Sequence, residues 1–218
     1  MPAFSDYWSL RYSARGPLVT RVASQRAGAV CAWAAQQAGA SPSHVTLASA
    51  SVFLVAAVLF VALPEGIAAA LACVLLFELG YALDCADGQL ARATQRVSAA
   101  GATLDIRCDY VRNLALAIAF ATWLWSHGLG AASATALVFW AGTWSHLATV
   151  EALRQRATRP ATPPGALREL ATAMLDTPTM LLVAGALRPF PQLLAGALAA
   201  FGLAYLAMSL ALARARLS

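Results

Sequence analysis

Residues 83–110 read LDCADGQLARATQRVSAAGATLDIRCDY, and this stretch decides how the rest of the chain is arranged. It holds Asp84, Asp87, Asp105 and Asp109, four of the ten acidic residues in a 218-residue chain that is 60% hydrophobic and only 11% charged. Soluble domains carry about 25% charged residues, so the balance is that of an integral membrane protein. An unpaired charge at bilayer depth costs about 2.5–3.5 kcal/mol even on the mildest insertion scale. Four carboxylates set against long apolar segments therefore call for a cation.

Outward from this stretch, six apolar segments each approach the roughly 20 residues that carry a helix across a bilayer core. They lie near 44–63, 66–86, 103–126, 130–151, 169–187 and 191–212. Pro64 with Gly66, Gly128 with Gly130, the run TRPATPPG over 158–165, and Arg188 with Pro189 and Pro191 separate them. Such punctuation ends helices. The expected fold is all-α, with six transmembrane helices in a domain over 42–218. An N-terminal segment over 1–41 precedes it. Within 15–40, Leu18, Val19, Val22, Val30 and Trp33 share one face, as expected of an interfacial amphipathic helix. The first residues include Asp6 and Arg11 and have no continuous apolar core, so no signal peptide is expected there.

All fifteen basic residues are arginine, and their placement orients the spans. Short cytoplasmic loops are enriched in basic residues. With the N-terminus inside, Arg11 to Arg26, Arg92 with Arg96, Arg154 to Arg168, and Arg214 with Arg216 fall on one side, and only Arg188 on the other. Both termini and the aspartates are thus expected on the cytoplasmic side of the cell membrane. The net charge of +5 follows from the same pattern, so nucleic acid is not an expected partner. Cys31, Cys73, Cys85 and Cys108 have neither zinc-site spacing nor a close pair, and no disulfide framework is expected.

Asp84 and Asp87 are three apart, and Asp105 and Asp109 four apart, so on helices each pair shares a face. Oxygen-only ligands suit Mg²⁺ or Mn²⁺, and two bridged ions can clamp the entering and leaving oxygens of a phosphoryl displacement. Gly88 lets a ligand approach the backbone, and Arg92, one turn on, can reach a phosphate. Residue types alone leave two other readings open. The aspartates could pair with Arg92, Arg107 and Arg112, or could line a proton or cation transport path.

Asp84, Asp87, Gly88, Ala91, Arg92, Gly101, Asp105 and Asp109 together spell DxxDGxxARx8GxxxDxxxD. This resembles the signature of the CDP-alcohol phosphotransferases, and the six-span layout is similar over nearly the whole chain. The resemblance implies that Asp84, Asp87 and Asp105 are ligands of two divalent ions, Mg²⁺ or Mn²⁺. Asp109 would be a shared ligand and the base for the acceptor hydroxyl. Gly88, Ala91, Arg92 and Gly101 would accommodate CDP, with Arg92 on the diphosphate. The implied reaction moves a phosphatidyl group from a CDP-linked lipid donor, such as CDP-diacylglycerol, to a polar alcohol acceptor and releases CMP. Relatives also imply a homodimer in the lipid bilayer. The chain departs from many relatives at Pro42, Ser43, His44, Val45 and Thr46, where Ser43 stands in place of an asparagine; a serine can still cap the helix.

For the acceptor, Arg154, Arg156, Arg159 and Arg168 suit a phosphorylated alcohol such as inositol phosphate or glycerol phosphate, although the same residues satisfy the topology. Serine, free inositol or another polyol is the alternative. Asp176, followed by Thr177 and Pro178, is expected either to contact the acceptor or to pair across helices. Glu78 and His146 are expected to form interhelical hydrogen bonds, and His44 and His127 to lie at span ends.

Overall fold

The structure is a computed structural model that describes residues 2–10, 20–156 and 176–214. It is built from helices, and no strand occurs among the described residues. In chain order these are α1 (Phe4–Leu10), a π-helical turn (Thr20–Ser24), α2 (Gln25–Gln37), α3 (Pro42–Ala62), α4 (Ile67–Ala93), α5 (Ala99–Ser126), α6 (Ala134–Arg156), α7 (Thr177–Ala186) and α8 (Pro191–Arg214). Among the described residues, α3, α4 and α8 are long and apolar enough to cross a membrane, which makes this a membrane protein. The helix α5 is equally long but carries Asp105, Arg107, Asp109 and Arg112 in its first half, and α6 is diluted by Trp140, Trp144 and His146. The helix α7 starts at Thr177, after Asp176 in extended backbone and with Pro178 in its first turn, and residues 169–175 of the expected span lie outside the described residues.

Helices α3 to α8 fall on the six apolar segments, of which three are long and apolar enough to span among the described residues, and their bounds differ from those expected. The second apolar segment ends at residue 86, yet α4 continues to Ala93. Its 27 residues extend about 40 Å, more than the roughly 30 Å hydrocarbon core, so two turns beyond the apolar run remain helical. Those turns carry Asp87, Gly88, Ala91 and Arg92. The helix then closes with the Arg96 amide on the Ala91 carbonyl at 2.8 Å, while Gln95 takes a left-handed φ of 56°. This C-cap turns the chain back toward the site.

The helix α3 packs against both α4 and α5, and α6 pairs with α8. Phe53, Phe60, Phe77, Phe120 and Leu181 fill the main core. Close approach is made possible by glycine at two contacts. A Cβ on Gly142 would lie 2.3 Å from the Gly202 carbonyl oxygen, and one on Gly80 would lie 2.8 Å from the Phe53 ring. Small residues that let backbones meet are a means of helix association in membranes, where lipid removes the hydrophobic drive.

The N-terminal helices differ in detail from the expected single amphipathic helix. The helix α2 lays Gly28, Ala29 and Ala32 on α4, and Val22, Val30 and Trp33 remain exposed. Leu18 and Val19 lie outside the described residues. Tyr7 of α1 is buried and donates its hydroxyl to Gln36. The four cysteines are free thiols.

Arg188 has a role that its charge alone did not reveal. It is fully buried, donates Nε to the Phe60 carbonyl at 2.8 Å and Nη1 to Pro64 at 3.0 Å, and gives Nη2 to Leu63. Its guanidinium also lies 4.0 Å from the Trp123 ring centroid. The side chain thus satisfies carbonyls at the C-terminal end of α3, which no intrahelical amide can reach.

Candidate active site

The N-cap of α3 sets one wall of the site. Ser41 accepts from the His44 amide at 3.3 Å, and His44 Nδ1 accepts from the Ser41 amide at 3.3 Å, a reciprocal capping box. The cap is therefore Ser41, and not the Ser43 that replaces the relatives' asparagine. Ser43 instead faces a cavity of about 610 Å³. One turn on, Thr46 donates its hydroxyl to Asp87 Oδ2 at 2.6 Å, and both residues are buried.

The opposite wall comes from the end of α4 and the start of α5. Gly88, Ala91, Arg92, Gly101 and Asp105 line the cavity together with Asp87. A Cβ on Gly88 would come within 3.1 Å of Arg92 Nη1, so the missing side chain leaves space that the guanidinium uses. At the start of α5, Ser98 caps the helix by accepting from the Gly101 amide at 3.0 Å. A Cβ on Gly101 would stand 3.1 Å from that Ser98 hydroxyl.

Beside this cavity lies the carboxylate cluster. Asp84, Asp105 and Asp109 each present a ligand oxygen, and these oxygens lie within 4.8 Å of one another. Ligands on opposite sides of a small hard cation with bonds of about 2.1 Å are roughly 4.2 Å apart, so modest side-chain rotation closes the set on an ion. The donor set is carboxylate oxygen alone, as Mg²⁺ or Mn²⁺ requires. Asp87 is not within that trio and reaches the same region from the cavity side. Asp105 belongs both to the trio and to the cavity wall.

Of the three arginines considered as ion-pair partners, Arg112 takes that part. Its Nη1 lies 3.1 Å from Asp84 Oδ1 and its Nη2 lies 2.7 Å from Asp109 Oδ1. The guanidinium is buried and sits 4.9 Å from the Phe53 ring centroid. Arg107 is exposed, and Arg92 is on the cavity wall. The sequence carried a signal for Arg112 in its position three residues after Asp109, and a signal for Thr46 in the run that begins at Pro42.

Of the residues expected at the acceptor, Asp176 is the one whose side chain is described. Arg159 and Arg168 lie outside the described residues, as do the side chains of Arg154 and Arg156. Asp176 is buried and accepts from the Thr20 amide and the Thr20 hydroxyl, each at 2.7 Å. Its carboxylate thereby ties the π-helical turn to the start of α7. One polar atom of each of Glu78 and His146, Oε1 and Nδ1, is buried without a hydrogen-bond partner among the described residues. Glu65 Oε1 accepts from His127 Nε2 at 2.9 Å, joining the two turns that follow α3 and α5.

No curated protein matches this chain. A family match does, under the description CDP-alcohol phosphatidyltransferase, and it spans residues 40–213, from the cap of α3 to the last turn of α8. It covers the cavity, the four aspartates and helices α3 to α8. With that match over most of its length, the chain belongs to the CDP-alcohol phosphatidyltransferase family.

Proposed function

We propose that this membrane transferase moves a phosphatidyl group from CDP-diacylglycerol to the hydroxyl of inositol phosphate or glycerol phosphate and releases CMP. Family membership gives the coarser statement, a transferase of phospholipid synthesis acting on a CDP-alcohol. The observation that carries the finer reading is the shared wall. One cavity is lined by the candidate CDP contacts Gly88, Ala91, Arg92 and Gly101 and by the candidate ion ligands Asp87 and Asp105. Nucleotide and ions would therefore meet in one place.

In this reading Asp84, Asp87, Asp105 and Asp109 hold two divalent ions, Mg²⁺ or Mn²⁺. Bound there, such ions neutralise phosphate charge and lower the pKa of a coordinated hydroxyl. Arg92 places its guanidinium on the diphosphate, and the absent side chains of Gly88 and Gly101 leave the phosphates room beside the helix backbones. The acceptor hydroxyl loses its proton to Asp109 as its oxygen bonds the β-phosphorus. The bond from that phosphorus to the bridging oxygen breaks, and CMP departs. Arg112 already occupies Asp109 Oδ1, so the other carboxylate oxygen is the one left for the proton.

The acceptor phosphate would meet Arg154, Arg156, Arg159 and Arg168, whose positive charge suits an anion. Asp176 supports the site by holding Thr20. Six spans, a homodimer, cytoplasmic termini and a cytoplasmic active site at the cell membrane complete the reading, with the exposed Val22, Val30 and Trp33 turned to the lipid surface. To test it, the purified chain is incubated with CDP-diacylglycerol, Mg²⁺ or Mn²⁺ and a panel of phosphorylated and free alcohols. CMP and a lipid product of matching mass are expected with a phosphorylated acceptor, and Asp109→Asn is expected to abolish both while still inserting. Turnover with free alcohols alone would overturn the acceptor, and ion flux without CMP would restore the transport alternative.

A further inference from the structure

The guanidinium of Arg112 is engaged on one side only. Nη1 and Nη2 hold Asp84 Oδ1 and Asp109 Oδ1, but Nε is buried and has no hydrogen-bond partner among the described residues. Behind it, between α5, α6, α7 and α8, lies a second cavity of about 40 Å³, whose wall includes Arg112, Thr143, His146 and Tyr205. His146 contributes a second buried polar atom without a partner, Nδ1. One water needs about 10–15 Å³ of such space and two or more polar partners, so the cavity has room for roughly one to three.

We propose that Arg112 is a positioning residue for the aspartate site, and that water in this small cavity, bridging Arg112 Nε and His146 Nδ1, holds it in register. The inference rests on the reading of Asp84 and Asp109 as ion ligands. Water accepts from the Nε–H and donates to the imidazole, in the tautomer that carries its proton on Nε2. All three guanidinium nitrogens are then engaged, and the ring on Phe53 completes the socket. With the plane fixed, Oδ1 of each carboxylate is fixed, which holds Asp84 on α4 and Asp109 on α5 in the arrangement where one oxygen of each and one of Asp105 lie within 4.8 Å of one another. An ion pair that served only to neutralise charge would need none of this. A lysine would supply the charge, but its single ammonium cannot span two carboxylates and reach the cavity behind.

The discriminating experiment binds Mn²⁺ to the purified full chain and records its electron paramagnetic resonance spectrum, beside CMP release at saturating Mn²⁺. The wild type is expected to show one well-defined spectrum, that of an ordered two-ion site. Arg112→Lys is expected to bind Mn²⁺ within about threefold of wild type, to show a broadened, mixed spectrum, and to lose turnover about 30–100-fold. His146→Leu, which leaves all four aspartates and Arg112 in place, is expected to lose turnover about 3–10-fold at unchanged Mn²⁺ affinity. A wild-type spectrum and turnover in Arg112→Lys overturn the positioning role, and the same result in His146→Leu overturns the bridging water. Should Arg112→Lys fail to fold, Arg112→Ala with added guanidinium replaces it, recovery of turnover supporting the role and no recovery opposing it. A wild-type chain that binds no Mn²⁺ sinks the ion assignment itself, and the positioning role with it.

Discussion

Replacing Thr46 by valine removes one hydroxyl from the wall of the candidate active-site cavity, and the structure sets the size of the effect. The hydroxyl donates to Asp87 Oδ2 at 2.6 Å, and Thr46 and Asp87 are only 6% and 7% exposed, so water cannot take its place. A hydrogen bond to a charged group contributes about 1.5–3 kcal/mol, which corresponds to roughly 10–150-fold in an equilibrium or rate. Outer partners that orient metal ligands show the same range, about 10–100-fold on affinity or activity. Initial rates of CMP release across a Mg²⁺ titration are therefore expected to show half-saturation raised or the maximal rate lowered by at least about tenfold in Thr46→Val. Thr46→Ser restores the donor and is expected to remain within about threefold of wild type. If valine leaves both Mg²⁺ half-saturation and maximal rate unchanged, then Asp87 either is not oriented by Thr46 or does not hold an ion.

Further expectations follow from other contacts. A Cβ at Gly88 would press the movable end of Arg92, so Gly88→Ala is expected to raise KM for the CDP donor about tenfold while thermal stability shifts little, measured by steady-state kinetics beside a melting curve. Arg188→Met removes donors from three carbonyls at the end of α3 and is expected to destabilise the chain by about 3–5 kcal/mol, read as a fall in Tm in detergent with little change in KM. For Tyr7, outside the spans, burial foremost and the Asp6 charge next push the phenol above its ordinary value. A raised folded-state value gives a contribution that is complete below about pH 10 and is lost as pH rises through the folded value. Docking of α1 should be constant through neutral pH and loosen only above about pH 10, as followed by proteolysis of the N-terminal segment.

Much of the site could be read along the chain because its key relations are local. Asp84 with Asp87, and Asp105 with Asp109, share helix faces by spacing alone, and the glycine and arginine one turn away share them too. Helix ends were less accessible, since hydropathy falls at the edge of the bilayer while the helix does not stop there. The α4 continuation from 86 to 93 is the example, and the end was set by Gln95 and the Arg96 amide. Arg188 read as a topological marker because a lone charge in a sequence has no visible partners, and three carbonyls more than 120 residues away became its ligands. Asp176 and Thr20, 156 residues apart, could not be connected by any spacing rule.

Hydropathy and helical period act over a few turns, and read along the chain they establish an apolar, all-helical protein with two carboxylate pairs on two helix faces. Which carboxylates converge was a matter of tertiary structure. Packing of α3 against both α4 and α5 brings Asp84, Asp105 and Asp109 together, gives Asp87 to Thr46, and places Arg112 across Asp84 and Asp109. Those choices depend on where side chains from distant turns meet, and helix spacing says nothing about the distance between helices.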